Sequence, residues 1–133
     1  MRWLSLSAIL AAAPGCPGSE PPPACFTVDT ACAPLYQPTS FSKVFSETIV
    51  QDCGSSQGSC HSASSDSGLS FATEQEAYDG LLQGHVQSGD PSCSELVVRT
   101  SSTGKDYTMP QGSALIASER CALVKWVELG APR

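Results

Sequence analysis

Seven cysteines behind a short apolar leader constrain this chain more than any other feature. In a reducing cytosol so high a count in 133 residues points to metal ligation, and in an oxidising compartment to disulfides. The N-terminus decides between them. Met1-Arg2-Trp3 supplies a positive start, residues 4–13 (LSLSAILAAA) form a short apolar run, and Ala13, Pro14 and Gly15 are small. This is the pattern of a secretory signal peptide over residues 1–15, too short to stay in a bilayer as a span. A buried N-terminal helix is the competing reading, but Pro14, Gly15 and Pro17 would stop it at once.

Cys16, set directly after a small residue, resembles the cleavage site of a bacterial lipoprotein, in which Cys16 becomes the lipidated N-terminus; ordinary signal cleavage is the rival. The expected location is the periplasm or the outer membrane, with membrane attachment by the lipid anchor only. Residues 14–24 (PGCPGSEPPPA) are Pro- and Gly-rich and read as an extended tether, so residues 16–40 form a linker. A small loop closed by Cys25 and Cys32 is expected within it. The net charge is −6, from 7 basic and 13 acidic residues, and nothing in the chain forms a basic patch. That excludes nucleic acid as a partner, since phosphate binding needs clustered Lys and Arg.

Residues 41–133 carry the periodicity of one all-α domain of four helices. Phe41, Val44, Phe45, Thr48 and Ile49 fall on one stripe of a helix that runs to Asp52 and that Thr39 or Ser40 can cap. Thr73 and Glu76 fit a capping box for a second helix, on which Ala77, Tyr78, Leu81 and Leu82 give a helical face and which ends at Gly84. Asp90-Pro91 starts a short third one through Leu96 and Val97. The last covers about 118–129, buries Leu123, Val124, Trp126 and Val127, and stops at Gly130. Large apolar residues are few, and domains this small often need a staple or a cofactor.

The stretch that can carry chemistry is Cys53-Gly-Ser-Ser-Gln-Gly-Ser-Cys60-His61. Two thiols followed directly by His is the arrangement in which haem is bound covalently and ligated beneath the iron. The chain resembles the cytochrome c family here and at four further places, in the family's order. An amphipathic helix runs into the first Cys. Gly68-Leu69-Ser70-Phe71 with Ala77-Tyr78 is similar to the segment after the haem motif. Gly89-Asp90-Pro91 with Ser94-Glu95-Leu96 matches a "GDP…S-x-L" stretch, and Met109-Pro110 precedes a helix ending Trp126-Val127-Glu128-Leu129-Gly130-Ala131. The chain departs from the family in placing six residues between its two cysteines, where two are usual. The resemblance implies a small cytochrome c-like domain, with haem c held by Cys53 and Cys60 and iron ligated by His61 and Met109. It implies a redox partner protein and electron transfer rather than enzymatic turnover.

The remaining cysteines fit a scheme of Cys25–Cys32 and Cys93–Cys121, one of 15 arrangements open to six cysteines. The rival to the haem carrier is a structural or binding lipoprotein that keeps the fold without haem and closes Cys53–Cys60 as a third bridge. His85, after a helix-ending glycine, reads as solvent-exposed. A zinc site built on Cys53, Cys60 and His61 would need closer cysteine spacing. Glu74, Glu76 and Asp79 read as a solvated helix face, and no catalytic triad, phosphate loop or carboxylate dyad is present.

Overall fold

The computed structural model describes residues 20–54, 60–64 and 67–133; the leader over residues 1–15, Cys16 and residues 55–59 of the insert between Cys53 and Cys60 lie outside them. Those described residues are helical and contain no strand. Helix α1 begins at Phe41–Val44, where the Ser40 hydroxyl accepts from the Lys43 amide at 3.4 Å, and continues as a π-helix over Phe45–Cys53. The chain leaves it at Gly54, where a Cβ would stand 2.7 Å from the Val50 carbonyl oxygen, so only glycine fits without a shift.

Helix α2 spans Glu74–Leu82 and is capped by Thr73, whose hydroxyl accepts from the Glu76 amide at 3.2 Å. The expected capping box is only half formed, because the Glu76 carboxylate accepts from the Ser70 hydroxyl at 3.0 Å instead. Asp90 caps a 3-10 turn, Pro91–Cys93, through the Cys93 amide at 3.1 Å. Helix α3, Glu95–Ser101, starts after a break at the fully buried Ser94. The Ser94 hydroxyl accepts from the Gln87 amide and lies against the Asp90 carbonyl, both at 2.8 Å, which pins the loop to the turn. Helix α4 covers Ala117–Glu128. None of the described helices is long and apolar enough to cross a membrane.

The core is a continuous cluster from all four helices, with Phe41, Val44, Ile49, Leu81, Val97, Leu123, Trp126 and Val127 removed from solvent. Phe41 is its hub, with ring centroids 5.2 Å from Trp126 and 5.1 Å from Tyr78. The end of α4 is closed by Gly130 at φ 96°, with the Gly130 amide donating to Val127 and the Ala131 amide to Trp126. That is the two-bond cap of a helix that turns through a left-handed residue. It delivers the Pro132 carbonyl to the indole N–H of Trp126 at 2.8 Å and to the Phe41 amide at 2.9 Å.

The cysteine pairing differs from the expected one. Cys25 is bonded to Cys93 and Cys32 to Cys121, so neither Cys25–Cys32 nor Cys93–Cys121 forms. The physical reason is that residues 25–32 are not a free tether. They lie as a strap across the domain, with the Phe26 amide donating to the Ser92 carbonyl at 3.0 Å and the Lys125 ammonium donating to the Thr30 carbonyl. Phe26, Val28 and Tyr36 pack onto the core, which brings each strap cysteine to a helix cysteine rather than to its neighbour. The six-residue spacing suggested a closed loop; long-range packing overrode it.

Candidate functional site

Cys53 ends the π-helix as a free thiol. Burial first, and then the charges of Asp52 and Glu119, push that thiol up to about 12, so it is protonated and a poor nucleophile at neutral pH. Asp52 beside it is raised as well, by burial and then by Glu119, and its buried Oδ2 has no hydrogen-bond partner among the described residues. Cys60 is already in a disulfide, and not with Cys53. The expected third bridge between Cys53 and Cys60 is therefore not formed: Cys53 ends the helix as a free thiol and the Cys60 sulfur is committed to a different bond.

His61 follows in a half-buried position built by the next loop. Its Nδ1 lies 3.1 Å from the Leu69 carbonyl and 3.4 Å from the Ser67 hydroxyl, and its ring stacks on Phe71 with centroids 4.6 Å apart. The Phe71 amide donates back to the His61 carbonyl at 2.8 Å and closes the loop. Leu69 is itself seated over α2, where Gly80 leaves room: a Cβ there would meet the Leu69 Cδ1 at 2.7 Å. The loop thus fixes the imidazole through Nδ1, and among the described residues Nε2 has no partner.

Burial lowers the pKa of His61, the Leu69 carbonyl opposes that, and the charges of His85 and Arg99 lower it further. A histidine lowered in the fold binds its proton more weakly than in the unfolded chain, so its contribution to stability is lost as pH falls through about 6.5. His61 should accordingly titrate below a free imidazole in an NMR pH series. A midpoint at or above the free value would contradict the burial.

Met109 is half-buried on the loop before α4, its amide donating to the Arg99 carbonyl at 3.0 Å. Arg99 connects the parts of this region. Its Nε pairs with Glu95 at 2.6 Å, its Nη1 donates to the Tyr107 carbonyl at 3.3 Å, and Glu95 also holds His85 Nδ1 at 2.8 Å. His85 is therefore not simply solvated, as the helix-ending glycine before it suggested; it is half-buried against a carboxylate. Burial raises Glu95, but the hydrogen bonds from Arg99 and His85 and their charges together hold it below the usual carboxylate range. The Glu95–Arg99 pair was findable from its i,i+4 spacing on a helix; the arrival of His85 from another segment was not.

One of the four residues expected to hold haem differs from what attachment requires. A thioether needs a thiol to add to each vinyl group, and the Cys60 sulfur is already bonded to another sulfur, which leaves the pair with the Cys53 thiol alone. This pair does not fit a covalently attached haem. His61 has the arrangement of a metal-bound histidine, with one ring nitrogen held by a carbonyl and the other without a partner among the described residues. For zinc, no group of three or more His, Cys, Asp or Glu side chains converges among the described residues. No family model, curated protein or solved structure matches the chain.

Proposed function

We propose that this chain is a haem-free, disulfide-stapled structural or binding protein of the cell envelope, built on a cytochrome c-like helical arrangement and carrying no catalytic turnover. The observation that supports it is the state of Cys60, whose sulfur is committed to a disulfide and so is withheld from haem. Two further bridges, Cys25–Cys93 and Cys32–Cys121, fit an oxidising, extracellular environment and supply the staple that so small an apolar core calls for.

A second reading, the haem-bearing electron carrier with His61 and Met109 on the iron and a redox partner protein, is favoured by one observation, the Nδ1-anchored, neutral imidazole of His61. A visible absorption spectrum with intact mass and thiol count, on protein recovered from its native envelope, separates the two. The expected result is a colourless protein with no haem mass, in which Cys53 reacts with a thiol reagent only after denaturation. A sharp reduced α-band with one haem mass added would replace this reading with the second.

A further inference from the structure

We infer that the cavity beneath the 25–32 strap is a binding site for a small zwitterion with an apolar side chain, in chemical class a hydrophobic α-amino acid. The cavity measures about 310 Å³ and lies between the strap and helices α3 and α4. That is the lower end of the range in which small-molecule sites fall, enough for a single amino acid. Val124 and Cys121 form its buried floor, Phe26 and Val28 its apolar side, and the exposed Asp29 and Ala117 its mouth.

Two residues of opposite charge, Arg120 and Asp29, line this space. Arg120 lines it, with only its Nη1 used by the Leu115 carbonyl, and Asp29 lines it, with Oδ1 accepting from the Ala31 amide at 2.8 Å. Neither takes part in an ion pair among the described residues, and both line the one cavity. A simple anion would meet Asp29 and the net charge of −6; a simple cation would meet Arg120. A ligand that brings a carboxylate to the guanidinium and an ammonium to the carboxylate satisfies both, by charge-assisted hydrogen bonds. Its side chain then rests on Phe26, Val28 and Val124.

The wall that closes the site is preformed. Cys25–Cys93 and Cys32–Cys121 pin the strap at both ends, and the Phe26 amide and the Thr30 carbonyl hold it between them. A wall fixed before the ligand arrives does not have to be ordered on binding, which conserves affinity. None of these residues belongs to the Cys53, Cys60, His61 and Met109 set, so the inference stands whether or not haem is attached.

Isothermal titration of the full chain with L-phenylalanine at pH 7 tests it. Saturable binding is expected, weakened at least about tenfold by Arg120→Gln and by Asp29→Asn, since each turns a hydrogen bond between two charged groups into one with a neutral partner. N-acetylphenylalanine and phenylalanine amide, each lacking one of the two charges, should lose affinity to the same degree. Ala117→Trp, at an exposed position on the rim, should fill the mouth and abolish binding while leaving the melting temperature unchanged. No saturable heat with L-phenylalanine, undiminished binding by the charge-deleted analogues, or undiminished binding by Ala117→Trp would each overturn the site.

Discussion

Removing either strap bridge, by Cys25→Ala with Cys93→Ala or by Cys32→Ala with Cys121→Ala, lowers the stability of the fold by about 4 kcal/mol. The bridges join residues 68 and 89 positions apart, and each restricts the unfolded chain by closing a long loop. Because the two loops interleave, each bridge already limits the loop that the other closes, so their effects add to less than the sum. Even so, a domain of this size has a net stability of only about 5–15 kcal/mol. Full reduction should leave it marginal. Urea titration of the oxidised form, the forms lacking one strap bridge and the reduced form measures this, with midpoints falling in that order. Coincident midpoints for oxidised and reduced protein would mean that the core holds the fold unaided and that the strap is ornamental.

What the sequence made legible, and what it did not, divides along a physical line. The faces of α1, α2 and α4 were readable because burying a stripe every three to four residues leaves a local pattern, and Phe41, Val44, Leu81 and Trp126 are buried as that pattern implies. The pairing of Cys25 and Cys32 was not readable. It depends on where the strap lies in space, and a Pro-rich segment with two or three apolar anchors has the composition of a tether. The same limit applied at the site. The adjacency of Cys60 and His61 is a sequence fact, but whether Cys60 is free to react depends on its pairing, and whether Cys53 is reactive depends on burial.

The most specific part of the family resemblance also changes meaning once it is seen folded. Trp126, Gly130 and Ala131 together make a helix cap: glycine supplies the left-handed turn, the Ala131 amide returns to Trp126, and the carbonyl after it bonds the indole. Those residue types are required by the geometry of joining the last helix to the first. They speak to the helical arrangement, and the question of haem rests on Cys53, Cys60, His61 and Met109 alone.

That junction gives the second large effect. Trp126→Ala should destabilise the protein by about 3–5 kcal/mol, the cost of a large aromatic lost from a packed core. Trp126 is wholly buried against Phe41 and Tyr78, with its N–H on the Pro132 carbonyl that also receives the Phe41 amide. Trp126→Phe separates the contributions: it keeps most of the ring volume and loses the N–H bond, so it should cost about 1–2 kcal/mol. Leu129→Ala, at a side chain 63% exposed on the next turn, should change almost nothing. Because the bridges act largely on the unfolded chain and Trp126 on the folded core, their effects should combine nearly additively. Oxidised Trp126→Ala is then expected to fold, with a lowered urea midpoint, while its reduced form is unfolded in buffer by far-ultraviolet circular dichroism, which reads the helices and not the deleted ring. If reduced Trp126→Ala instead keeps the native helical signal, the core carries more of the stability than the bridges do, and a side-chain core of this size needs no staple.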